Sequence, residues 1–207
     1  MDDENRVTLV SSRSKINIFG RNLRYVVYGI TGTLGAGKGT VVEYLEKNRG
    51  FKHFSVRNFL LETIRKEGLP ENRDSMFLTG NRLRKEFCPS YVVDCLYEQA
   101  TESNEDCIIE SIRTPGEAIS LRSKGNFHLL AVDADQKLRY DRIVERKSET
   151  DHVSFTTFTE NEEREMTSAD PNQQNIRECI RMADFVLTND GSREELFAQL
   201  EEILKKI

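Results

Sequence analysis

Short apolar runs alternate along the chain with longer amphipathic stretches. Tyr25-Val26-Val27-Tyr28-Gly29-Ile30 is β-branched and aromatic, the composition of a buried strand. Lys52 to Ser55, Cys107-Ile108-Ile109 as far as Glu110, Phe127 to Val132, and Phe185-Val186-Leu187 predict four more strands. Helices are predicted between them. Val41 to Lys47 ends at Asn48-Arg49-Gly50, and Arg57 to Lys66 presents Phe59, Leu60 and Ile64 before Gly68 and Pro70 close it. Pro70 to Thr79 is polar, and a helix from Asn81 runs up to the break at Pro89. Tyr91 to Ala100 repeats Val92, Val93, Leu96 and Tyr97 at helical spacing. Pro115 suits the first turn of a helix that Gly125 stops, and Asp135 to Arg146 is another. Lys147 to Thr157 reads as a loop, followed by helices at Glu160 to Met166 and Gln173 to Met182. The last helix begins at Ser192, with Glu195 placed for a capping box and Phe197, Leu200, Ile203, Leu204 and Ile207 as its stripe.

Strand and helix alternate throughout, so the predicted fold is α/β: a five-stranded, mostly parallel sheet flanked by helices. Residues 1–24 read as a flexible N-terminal extension and 25–207 as one domain. Helical residues at about 57–101 and a charged stretch at about 140–165 are additions to the core, placed to close over a ligand.

The 207 residues suffice for one domain, and 37% hydrophobic content supplies a core. Thirty basic against 35 acidic side chains leave a net charge of -5, which argues against a general nucleic-acid or anionic-membrane binder. No run approaches the length of a membrane span, and the acidic start MDDENRVTLV lacks the pattern of a signal peptide. Cys88, Cys95, Cys107 and Cys179 form no CxxC pair and stand apart from His53, His128 and His152, so they read as core thiols rather than a metal cage. The histidines are scattered and are not read as catalytic bases. These signals predict a cytoplasmic location.

The strongest local chemistry is Gly32-Thr33-Leu34-Gly35-Ala36-Gly37-Lys38-Gly39-Thr40. It contains G-x-x-x-x-G-K between a strand and a helix. Glycines let the backbone curl and turn its N–H groups inward, and the helix start adds to this polyanion cradle. Lys38 then reaches the β- and γ-phosphates. The hydroxyl that usually follows the lysine on Mg2+ comes one residue later, at Thr40, because Gly39 occupies its slot.

This string resembles the G-x-P-G-x-G-K-G-T loop of adenylate kinase and other nucleoside monophosphate kinases, with Leu34 at the proline position. The resemblance spans about residues 25–207. It implies a P-loop kinase fold, ATP as donor with Mg2+, and donor-phosphate binding by Gly32, Gly35, Ala36, Gly37, Lys38, Gly39 and Thr40. Phe54 to Leu60 resembles the strand end that leads into the acceptor-lining helix, which brings Ser55 and Arg57 to the substrate. The family's acceptor-binding arginine is replaced here by Leu61, leaving Arg57 or Arg65 to stand in. Glu110 ends a buried strand where a Walker B acid stands, suited to Mg2+, its waters or the attacking group. Glu110-Ser111-Ile112-Arg113 resembles D-G-x-P-R, whose arginine contacts the acceptor phosphate, and is nearer still to a D-G-I-R-S segment of archaeal proteins related to dephospho-CoA kinase.

Arg82 and Arg84 add charge that either closes on an anionic acceptor or lines a solvated face. Arg139, Arg142 and Arg146 are spaced by three and four and share one helix face. Such a stripe beside a phosphate loop meets the charge that grows on a transferring phosphoryl group. Related kinases carry lid arginines on a comparable helix, with the following segment as a mobile cover that excludes water. Asn189 to Ser192 is assigned by resemblance to the adenine end of ATP, and is also a good turn and cap.

The expected activity is ATP-dependent phosphoryl transfer to a small phosphorylated acceptor, first a ribo- or deoxyribonucleoside monophosphate and second dephospho-CoA. Lys38, Glu110, Arg139, Arg142 and Arg146 are the catalytic candidates. Thr40 and Glu110 are assigned to the metal, and Ser55, Arg57, Arg82 and Arg113 to the acceptor. The competing class is a P-loop ATPase or nucleotide-binding regulator, which would turn over or bind ATP without an acceptor.

Overall fold

Five strands, β1 (Val27–Gly32), β2 (Lys52–Ser55), β3 (Cys107–Glu110), β4 (Phe127–Asp133) and β5 (Phe185–Thr188), form one sheet in the order β2-β3-β1-β4-β5. Every pairing is parallel. This computed structural model describes residues 25–146 and 154–207. The expected N-terminal extension and most of the expected cover after Arg146 lie outside them.

Both faces of the central strands β1, β3 and β4 are buried, which explains why they read as continuous apolar runs rather than alternating ones. Val27, Cys107, Ile109 and Leu129 belong to one core, and Tyr28, Ile30, Ile108, Leu130 and Val132 to the other. The second core is closed by α1 (Lys38–Arg49) and by the C-terminal helix Arg193–Leu204 through Val41, Val42, Leu45, Leu196, Leu200 and Ile203. Ser192 and Glu195 cap that helix reciprocally, as the sequence predicts. Leu200 and Ile203 of its predicted stripe are buried and Leu204 packs against them, but the stripe opens at Leu196 rather than Phe197, which stacks on Tyr44 at 4.4 Å, and Ile207 is exposed.

The first core lies under α2 (Val56–Lys66), α3 (Arg73–Glu86), α4 (Tyr91–Ser103) and α5 (Pro115–Ser123). Here α3 begins eight residues before the predicted Asn81. Asn72 caps it by accepting from Ser75 N at 2.8 Å. Then come α6 (Gln136–Arg146), α7 (Phe155–Met166), α8 (Ile176–Arg181) and, after β5, α9 (Arg193–Leu204). All four cysteines are free, but only Cys107 and Cys179 are core thiols. Cys88 and Cys95 are half-buried near the start of α4. Among the described residues, no helix is long and apolar enough to cross a membrane.

The strand order reverses at β1. The connection from the carboxyl end of β1 runs past β3 to β2, whereas that from the neighbouring β4 runs the other way, to β5. In open α/β sheets, ligands bind in the crevice at such a switch point.

Candidate functional site

The loop from Gly32 to Thr40 joins β1 to α1 at that switch point. Gly35 and Gly37 have φ of +78° and +100°, which favour glycine, and space forbids a side chain as well. A Cβ on Gly35 would lie 2.5 Å from the Arg139 carbonyl oxygen of α6, and one on Gly37 would lie 2.3 Å from Asn189 Nδ2. Asn189 donates that amide to Ala36 O at 2.8 Å, holding the loop from behind. The loop is thus fixed by contacts with α6 and the end of β5.

Lys38 Nζ folds back to donate to Gly32 O at 3.0 Å and Thr33 O at 2.8 Å. Burial and the nearby Arg113 charge lower its pKa to about 8, with Glu110 opposing them. An anion bound beside this lysine would raise that pKa again.

A cleft of about 530 Å3 opens next to the loop. Gly35, Gly37, Lys38, Gly39 and Thr40 line one end. Val56, Leu60, Met76 and Phe77 of α2 and α3 form an apolar wall at the other. Seven basic side chains, Lys38, Arg57, Arg73, Arg84, Arg113, Arg142 and Arg146, line it against two acids, Glu43 and Glu110. A protein of net negative charge has gathered this excess of cations in one cleft, which suits a polyanion.

Glu110 ends β3 beside the cleft. Its Oε2 lies 3.2 Å from His53 Nε2, and Ser111 Oγ donates to its Oε1 at 3.3 Å. Burial works against ionisation, but the His53 hydrogen bond and the charges of Lys38 and Arg113 hold the carboxyl below the ordinary glutamate range. Ser111 follows with φ +71°, a left-handed conformation that turns the chain sharply. Past that turn, Arg113 reaches the cleft.

The sequence-predicted residues divide clearly. Lys38, Thr40, Arg57, Glu110, Arg113, Arg142 and Arg146 meet around the cleft. One nitrogen of Arg142, Nη1, is buried there with no hydrogen-bond partner. Arg139 does not join them. Its guanidinium donates to Ala134 O at 2.8 Å, to Leu34 O at 3.1 Å and to the Glu162 carboxylate, so it braces the loop's outer side. Arg82 is held at the surface by Glu67 at 2.6 Å and Glu86 at 3.1 Å. Ser55 caps α2, accepting from Asn58 N at 3.2 Å. Gly32, Ala36 and Asn189 shape and support the loop without lining the cleft.

Several site residues escaped the sequence reading. Arg73 lines the cleft from the first turn of α3 and pairs with Glu165 at 2.6 Å. Glu165 also receives Arg113 at 2.6 Å. Arg84, which the sequence left between an acceptor contact and a solvated face, is instead 1% exposed and forms a buried pair at 2.8 Å with Glu117, whose other oxygen accepts the Arg113 and Thr114 backbone N–H groups. That carboxylate thereby ties α3 to the turn that carries Arg113. Pro115 marked this helix start in the sequence, but nothing local announced the partner of Glu117 in α3.

A family model described as an AAA domain matches residues 29–168. A UPF0200 protein of Methanothermobacter thermautotrophicus is 29% identical over 187 residues, spanning 89% of this chain and 92% of its own. A UPF0200 protein of Methanococcus maripaludis is 30% identical over 182 residues, spanning 86% of this chain and 96% of its own. A gluconokinase structure from Sinorhizobium meliloti is similar in fold, with a TM-score of 0.53 at 15% identity over 90% of this chain and 97% of that one.

Proposed function

We infer a function from the premise that the chain belongs to the AAA-domain family and to the UPF0200 proteins. We propose that it transfers the γ-phosphoryl group of ATP to a small phosphorylated acceptor, a ribo- or deoxyribonucleoside monophosphate. The cleft is the main support. A phosphate-loop lysine at one end faces, across Glu110, an arginine-lined lobe with an apolar wall. Two polyanion subsites in one cavity suit a donor and an acceptor better than a single nucleotide.

In this reading the loop amides and Lys38 hold the donor phosphates. Arg113, with Arg57 and Arg73, receives the acceptor phosphate, and Val56, Leu60, Met76 and Phe77 pack against its base. The α2–α4 region is the acceptor-binding insertion, and about 140–165 is the lid. An acceptor phosphate oxygen attacks the γ-phosphorus as the bond to the β–γ bridging oxygen breaks, and ADP departs. The second ionisation of a phosphate monoester lies near pH 6, so at neutral pH this oxygen carries no proton that a base must remove. That frees Glu110 from base chemistry. Arg142 and Arg146 meet the charge on the moving group. Buried Nη1 of Arg142, which has no hydrogen-bond partner among the described residues, is suited to that contact.

The donor set fits Mg2+ held chiefly by phosphate: of the hydroxyls and carboxylates that line the cleft, Thr40 and Glu110 are the two that would hold the ion. No group of three or more His, Cys, Asp or Glu suited to a metal occurs among the described residues. When bound, the ion supplies charge neutralisation of the donor phosphates.

The test is product-resolved transfer from γ-labelled ATP to each nucleoside monophosphate and to dephospho-CoA, with Lys38→Ala as control. Label should pass to a nucleotide and stop in the control. Label on dephospho-CoA alone would replace the acceptor, and label released only as free phosphate would replace transfer by hydrolysis.

A further inference from the structure

Helix α7 carries two buried carboxylates one turn apart, Glu162 and Glu165, 8% and 4% exposed. Glu162 grips Arg139 beside the donor loop. Glu165 serves the acceptor side. Its Oε1 accepts from Arg73 Nη2 at 2.6 Å and its Oε2 from Arg113 Nη1 at 2.6 Å. Both arginines line the cleft, whereas Glu165 stands behind them. The side-chain hydrogen bonds of Arg113 to Glu165 and to Gln174 Oε1, at 2.9 Å, both run through Nη1. The rest of its fork is left to face the cavity. Burial opposes the charge on Glu165, but Arg113 and Arg73 hold its carboxyl below the ordinary range.

We propose that Glu165 is a positioning residue that locks Arg73 and Arg113 into one clamp for the acceptor phosphate and sets the charge of that clamp. The proposal rests on the phosphoryl-transfer reading above. One carboxylate oxygen per guanidinium fixes the spacing of the two forks, as a bridging phosphate would. The same negative charge cancels one of the two positive ones. Loose anions therefore gain little there, and an acceptor must be held through geometry.

Two substitutions separate charge from reach. In Glu165→Gln the amide oxygen still accepts from one arginine, but the NH2 group meets donors on the other. That guanidinium is released and the local charge rises by one. Glu165→Asp keeps the charge but is one methylene short of bridging both. The first measurement is calorimetric titration with inorganic phosphate, the donor loop being filled with a non-hydrolysable ATP analogue and Mg2+.

Phosphate should bind Glu165→Gln roughly tenfold more tightly than wild type, because a counter-charge has gone from a partly desolvated site. Glu165→Asp should stay within about threefold of wild type, its charge being unchanged. Unchanged or weaker binding by Glu165→Gln, or no binding to either protein, overturns the proposal. The second measurement is steady-state transfer to the acceptor found in the screen. Both variants should lose at least roughly tenfold in kcat with no rise in acceptor KM, the mark of a misplaced rather than unbound acceptor. A raised KM with unchanged kcat overturns the proposal. If Glu165→Gln does not fold, Glu165→Asp alone decides, by lower kcat at unchanged phosphate affinity. The phosphate titration needs no acceptor, so failure of wild type to transfer to any acceptor would count against the proposed function and not against this clamp.

Discussion

Replacing Lys38 by methionine should change how stability depends on pH. A lysine whose pKa falls from 10.5 to about 8 on folding destabilises the native state wherever it is charged. Below pH 8 both states hold the proton and the native state bears the full cost. Between about 8 and 10.5 the unfolded chain holds a proton that the native protein has released, so stability rises with pH across that window. At about 1.4 kcal/mol per pKa unit, the fall is worth up to about 3 kcal/mol. Lys38 keeps part of its surface open to the cleft, so solvent screening brings the expected rise to roughly 1–2 kcal/mol. The assay is urea unfolding of wild type and Lys38→Met at pH 7.5, 9 and 10.5. The difference between the two proteins removes the titration of tyrosines, cysteines and surface lysines. Lys38→Met should be more stable relative to wild type at pH 7.5 and lose that advantage by pH 10.5. Pyrophosphate, by raising that pKa again, should flatten the wild-type dependence. A difference that stays constant from pH 7.5 to 10.5 would refute the claim that the ammonium is held at a cost until an anion arrives.

Arg139→Met should lower unfolding stability by about 3 kcal/mol, because it leaves the buried Glu162 carboxylate without its partner and frees Leu34 O; urea denaturation reads this directly. Ser111→Gly should leave stability within about 1 kcal/mol, since relief of the Cβ penalty at φ +71° is offset by glycine's greater chain entropy and the lost bond to Glu110; Ser111→Ala, which keeps the penalty and loses the same bond, should be the less stable of the two, and the reverse order of urea midpoints would contradict the backbone strain. Arg82→Ala should leave stability within about 0.5 kcal/mol and acceptor KM within about twofold, because its two ion pairs are surface ones and it does not line the cleft.

The central strands were legible because both their faces are buried, and runs such as Cys107-Ile108-Ile109 resemble little else. The phosphate loop was legible because glycine spacing before a lysine has few other uses. The start of α3 was not. Its buried positions are Thr79, Gly80, Leu83 and Arg84, so it faces the core with small and polar groups and shows no apolar period. Likewise, Glu160 to Met166 reads only as a helix, and nothing in its run of charges tells which of them are covered. That Glu162 and Glu165 are buried depends on arginines supplied by α3, α6 and the turn after β3. Helical spacing put Arg139, Arg142 and Arg146 on one face but did not say where that face turns. The loop's outer surface takes Arg139, and the cleft takes the other two. Scattered in sequence, His53 meets Glu110 because β2 and β3 pair in register, Ser55 opposite Glu110.

The brace between Asn189 and Ala36 joins residues 153 apart. Synthesis runs from the N-terminus, so the ribosome has made the whole glycine loop, helices α1 to α8 and all five strands before it reaches the residue that supports the loop from behind. Contacts of such long sequence separation form late. A chain cut short before β5 would carry an intact-looking nucleotide motif on an unfinished cradle. Chains terminated before β5 should therefore sequester little nucleotide, and nucleotide binding reports that synthesis has passed Asn189.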